Sequence, residues 1–189
     1  ANIKLSMNQN KLTFYSANPN RVDYSLLAGI PIQVLVFNGC KLANLSFIEN
    51  MPLEELTLFN CPVKDLSALK NIKLKYLKLE NGPIKDLSPL ENAELNTLIL
   101  KSVAVTSLKP VLRQPIKNID FFGLQLNDIT ELKNFKLEQL SLNYCKITDI
   151  NFIDFTQMKY FLVNNSELSD ISRLKEAPLE FLDLAGCGI

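Results

Sequence analysis

Cys40, Cys61, Cys145 and Cys187 have the side chains for thiol chemistry or metal ligation, and the series Asp65, Asp86, Asp128, Asp149 and Asp170 has them for cation binding. Lys78, Glu80, Lys101 and Asp120 form a third grouping, a polar cluster of the kind that proton transfer requires. Histidine is absent from all 189 residues. Its absence removes the commonest general base, the commonest zinc ligand and every Ser-His-Asp or Cys-His arrangement. No GxGxxG, P-loop or metal-binding helix motif occurs either. Two triplets, Asn44-Leu45-Ser46 and Asn164-Asn165-Ser166, match the glycosylation acceptor pattern, which is common by chance.

What these groups can do depends on the elements that hold them, and those follow from a period of 21 residues. Apolar residues recur at Ile32, Leu53, Leu74, Leu95, Ile116, Leu137, Met158 and Leu179 (position 1 of each repeat). Position 4 carries Leu35, Leu56, Leu77, Leu98, Ile119, Leu140, Phe161 and Leu182; position 6 runs from Phe37 and Leu58 to Leu184. The two-residue step between positions 4 and 6 is that of a strand with one face buried. Positions 11, 14 and 17 are apolar at three-residue steps (Val63, Leu66 and Leu69 in one repeat), which suits a tight 3₁₀-like return rather than a long α-helix. A unit this short cannot close a core alone, so the units must stack into a solenoid.

The period assigns the chemical candidates to structural slots. All four cysteines occupy position 9. Cys40 and Cys61 lie on adjacent repeats, whereas Cys145 and Cys187 are two repeats apart, beyond disulfide reach. A four-ligand metal site is therefore excluded, and the thiols are expected to be buried small hydrophobes. The aspartates fill position 13, with Ser or Thr two residues later at Ser67, Ser88, Thr130 and Ser172. Side-chain capping of the returning turn explains that pairing without a metal. At position 2, Lys117, Glu138, Lys159 and Glu180 alternate in sign, as lateral ion pairs between stacked repeats require.

Segments such as LEELTLFNCPVKDLSALKNI and LKYLKLENGPIKDLSPLENA resemble the LxxLxLxx(N/C)xL pattern of leucine-rich repeats. The trailing DLSPL is similar to the short-repeat class of bacterial internalins and of a eukaryotic protein-phosphatase regulator. The resemblance covers nearly the whole chain. It implies an α/β solenoid: a right-handed superhelix with a curved parallel β-sheet on the concave side and 3₁₀ or extended backbone on the convex side. It also implies that the concave face binds a protein. The expected organisation is an N-terminal cap over 1–31, seven repeats over 32–178 and a partial repeat over 179–189 without an evident C-terminal cap. Within the cap, residues 1–16 read as a hairpin, with Ile3, Leu5 and Met7 alternating before a turn at Asn8-Gln9-Asn10.

Side chains at positions 3, 5 and 7 must face away from the core. They give the candidate partner-binding residues Phe59, Tyr76, Lys78, Ile99, Lys101, Asp120, Phe122, Tyr160, Leu162 and Phe181, with Tyr144 added from position 8. Aromatic rings beside charges match the composition of binding hot spots. Lys plus Arg and Asp plus Glu are both 20, a balance that offers nucleic acid no long-range field. No apolar run is long enough to span a membrane, and no basic-then-apolar leader opens the sequence. The expected protein is thus a non-catalytic binding module without cofactor or metal. The rival readings are self-association, a homodimer pairing through the C-terminal edge, and an enzyme built on the Lys78–Asp120 cluster. Unpaired cysteines lean towards a reducing cytoplasm, while a start at Ala1 fits a mature secreted end.

Overall fold

The computed structural model describes residues 10–15 and 23–189. The proposed hairpin's first arm, Ile3 to Met7, and most of its turn lie outside the described residues. The strands are β1 (Lys11–Tyr15), β2 (Val34–Asn38), β3 (Glu55–Phe59), β4 (Tyr76–Glu80), β5 (Thr97–Lys101), β6 (Asn118–Phe122), β7 (Gln139–Asn143), β8 (Tyr160–Leu162) and β9 (Phe181–Asp183). They form one parallel sheet in sequential order. Each strand pairs with the next in the register of the 21-residue period, Leu56 against Leu77 and Leu77 against Leu98. The architecture is a leucine-rich-repeat solenoid.

Along β2, β4 and β5 burial alternates residue by residue, with positions 4 and 6 sealed and positions 3, 5 and 7 half-exposed. The sealed side chains join those of positions 1, 11, 14 and 17 in a single core that runs from Leu12 to Leu168. The return path is 3₁₀: Ser67–Leu69, Ser88–Leu90 and Lys109–Val111 are each one short turn, and Ile129–Asn134 is longer. Leu69 N–H donates to the Leu66 carbonyl at 2.8 Å, the i to i+3 closure of such a turn. Among the described residues no helix is long and apolar enough to cross a membrane.

The turns leaving β2 to β9 use a device absent from the apolar pattern. Position 8 has positive φ at Gly39, Asn60, Asn81, Ser102, Gly123, Tyr144, Asn165 and Gly186. Gly and Asn suit this left-handed conformation, and Tyr does not. The bend aims the position-8 N–H at the carbonyl of position 7 on the next repeat. Asn60 donates to Glu80, and Tyr144 to Asn164, at 3.0 and 2.9 Å. From Gly39 to Asn165 each turn is therefore tied to its neighbour just beyond the sheet.

Candidate functional site

On the concave face the register sets position 3 as a row from Tyr76 through Thr97, Asn118, Gln139 and Tyr160 to Phe181. Position 5 runs Lys78, Ile99, Asp120, Ser141, Leu162 and Asp183 beside it. Over β5–β9 these rows enclose a shallow hollow of about 600 Å³. It brings together six of the expected residues: Ile99, Lys101, Asp120, Tyr160, Leu162 and Phe181. Asn118, Gln139, Ser141 and Asn143 supply amides and a hydroxyl between them.

The other five expected residues lie outside the hollow. Phe122 and Tyr144 form a tilted pair at its margin, with ring centroids 5.0 Å apart and planes at 48°. Phe59, Tyr76 and Lys78 lie on β3 and β4. Tyr76 is half-buried, and burial first, then the negative charges of Glu55 and Asp120, raise its phenol pKa. Four of the expected rings stand open: Tyr144 is 53% exposed, Phe181 48%, Phe122 39% and Tyr160 37%. The Tyr160 hydroxyl donates to Glu180 at 3.0 Å, which raises that phenol as well.

The polar cluster resolves into two ion pairs. Lys78 pairs with Glu80 at 2.8 Å, and Lys101 pairs with Asp120 across the β5–β6 register. Each pair keeps its charges partly in solvent. As an arrangement the two pairs fix side-chain direction on the sheet surface.

The family model described as "Leucine Rich repeat" matches residues 133–150. A solved structure of an internalin (inlF) from Listeria monocytogenes superposes with a TM-score of 0.70 at 25% sequence identity, covering 88% of this chain and 58% of that one. The fold is that of a leucine-rich-repeat solenoid, and its repeats are similar to those of internalins. A second Listeria monocytogenes internalin (inlC2) shares the fold at a TM-score of 0.63 and 23% identity, over 87% of this chain and 84% of that one. This chain thus spans 58% of the length of the inlF structure it resembles. No curated protein matches the chain by sequence.

The remaining candidates serve the leucine-rich-repeat framework. Cys40, Cys61 and Cys145 are buried and all four thiols are free. The Cys61 thiol donates to backbone carbonyls of Phe37 and Phe59. A hydrogen bond with Cys40, reinforced by burial, holds it protonated. Burial likewise pushes the Cys145 thiol up. Among the described residues no group of three His, Cys, Asp or Glu side chains is placed to hold a metal.

The aspartate column caps the 3₁₀ turns. Asp65, Asp86, Asp128 and Asp170 each accept the backbone N–H two residues on, at 2.7 to 2.9 Å. The position-2 charges pair as their alternation requires, with Lys117–Glu138 at 2.7 Å and Lys159–Glu180 at 3.9 Å; Lys75–Glu54 at 2.9 Å adds an earlier pair. Of the glycosylation triplets, Asn44 spends its carbonyl capping Ser46. Asn164 is half-buried and donates to Asp183 at 2.9 Å. A glycan on Asn164 would break that contact.

Two residues outside the expected set stitch repeats together. Glu131 is buried and accepts from the Ser107 hydroxyl at 3.1 Å and the Leu108 N–H at 2.6 Å. Ser107 stands where five other repeats have Asp, so the following repeat supplies the missing carboxylate. Gln114, also buried, accepts from Leu95 N–H at 3.2 Å and donates to the Glu91 carbonyl at 2.8 Å. The signal for Glu131 was the gap in the aspartate column. Gln114 had none, because a lone glutamine at a repeat boundary resembles any surface residue.

Proposed function

We propose that this chain binds a protein partner through its concave sheet, with β5–β9 as the working surface, and performs no catalysis. The observation that carries this reading is the set of open rings, Phe122, Tyr144, Tyr160 and Phe181, gathered around a hollow on a face that core packing does not use. Aromatic side chains supply large contact area at low entropic cost and dominate binding energetics. Solenoids of stacked repeats present extended concave surfaces suited to that use. The resemblance to internalins agrees with an interaction module.

The test is affinity capture from an extract of the source organism. The native chain is compared with a Phe122→Ala, Tyr160→Ala, Phe181→Ala variant whose far-ultraviolet circular dichroism matches it. A captured protein lost by the variant is the expected result; equal capture by both removes the concave face from consideration.

A second reading, two copies paired edge to edge at β9, draws support from Leu182. It is 43% exposed where Leu140 and Phe161, its equivalents, are sealed. Strand pairing between two copies would cover that side chain. Sedimentation over a range of chain concentrations separates the readings, since only the second expects a mass that doubles.

A further inference from the structure

We propose that the β8–β9 end of the hollow is a socket for one cationic side chain, an arginine or lysine carried by the protein partner. The proposal rests on the concave-face reading and adds the chemistry of what enters. Leu162 gives the β8–β9 end of the hollow an aliphatic surface suited to a methylene stem. Tyr160 and Phe181 stand beside one another across the β8–β9 register, and both rings are exposed. Ring faces of this kind attract a cation.

Charge decides between occupants. Asp183 lies next to Leu162 in the same register, at the margin of the hollow. Its carboxylate accepts from Asn164 Nδ2 at 2.9 Å and from Ala185 N–H at 3.1 Å. Among the described residues no lysine or arginine pairs with it. Asp120, the other carboxylate here, is matched by Lys101. Positions 3, 5 and 7 of β5–β9 therefore hold two carboxylates and one cation, and the uncompensated charge sits nearest the two rings. An anionic group would meet Asp183 directly. A purely apolar side chain would desolvate that carboxylate without pairing it, at a cost in free energy. A neutral sugar would satisfy hydrogen bonds and leave the charge unanswered. A guanidinium or ammonium group answers all three features together.

The experiment follows the Leu162 methyl resonances of the isotope-labelled chain, with those of Ile99, three strands away, as the reference, during titration with four probes. These are N-acetylarginine amide, its uncharged isostere N-acetylcitrulline amide, N-acetylleucine amide and maltose. The expected result is a saturable shift with the arginine probe, at least about fivefold tighter than with citrulline, the ratio that roughly 1 kcal/mol of cation recognition gives. Asp183→Asn should erase that preference while leaving the remaining methyl spectrum in place. An equal response to citrulline or leucine overturns the socket in favour of a plain apolar site, and a response to maltose alone overturns it in favour of a glycan site. Absence of any saturable shift, or an arginine preference that survives Asp183→Asn, also overturns it. Partner capture keeps the two proposals apart. If Asp183→Asn retains a partner that the triple alanine variant loses, the concave face stands and the socket falls; if both variants retain it, both fall.

Discussion

On the proposed concave-face reading, Tyr144 is the residue where folding and binding pull in opposite directions. Its φ of 55° falls in the left-handed region, which other repeats fill with Gly, Asn or Ser. A bulky residue there costs roughly 1 kcal/mol or more. Its ring, tilted against Phe122 and 53% exposed, recovers part of that cost as an aromatic pair worth about 0.5–1.5 kcal/mol. Strain of this kind persists where a side chain has a use. Tyr144→Asn adopts the conformation that Asn60, Asn81 and Asn165 already show, so the melting temperature should stay level or rise. Binding of a concave-face partner should weaken by about tenfold, matching a lost contact of roughly 1.4 kcal/mol. Thermal denaturation and calorimetric titration of the same variant check both halves. A drop in melting temperature with unchanged affinity would make Tyr144 a purely structural residue.

At the scale of the element, the strands and their register were legible from positions 1, 4 and 6 because each of those side chains has one place to go, the shared core. The turn caps were legible for a related reason: Asp at position 13 and Ser or Thr at 15 recur together, as at Asp86 and Ser88, and only local hydrogen bonding needs both. The hollow was less so. The pattern marked Phe59, Tyr76 and Lys78 as outward-facing just as it marked Tyr160 and Phe181, since a period reports direction and not depth. Which outward residues gather around a depression depends on side-chain sizes across five strands. Glu131 escaped because it acts on the preceding repeat, a contact that no single repeat displays.

The caps carry a pH dependence. Hydrogen bonds from Ser88, Thr130 and Ser172 hold Asp86, Asp128 and Asp170 below the ordinary carboxylate value of 3.8. A carboxylate whose folded pKa is depressed stabilises the fold fully above its unfolded value and loses that contribution as pH falls through the folded one. Melting temperature should therefore hold from neutrality to about pH 5 and decline through and below pH 4. Asn44 shows that an amide can make the same cap without titrating. In an Asp86→Asn, Asp128→Asn variant the acid slope should accordingly be shallower. An unchanged slope would mean that other carboxylates govern the acid limb.

For the whole molecule, the consequence of stacking is that one repeat position has different worth at different places along the array. Each repeat buries its position-4 side chain against its own return segment and both neighbours, so sealing is complete only where both neighbours are in place. Leu56, Leu98 and Leu140 are fully sealed, whereas Leu182, on the edge strand β9, is 43% exposed. Removing a sealed leucine side chain leaves a cavity among packed groups and costs about 2–5 kcal/mol. The exposed one has water on one side already and little packing to lose. Leu98→Ala should therefore lower stability to urea by about 2–5 kcal/mol, and Leu182→Ala by under about 1 kcal/mol. Because contacts run only between neighbours, Leu98→Ala should also loosen amide protection on β4 and β6 more than on β2, as hydrogen exchange resolved strand by strand would register. Equal costs at the two leucines, or uniform loosening along the sheet, would show that the array unfolds as one block and that neighbour-to-neighbour contacts do not set its stability.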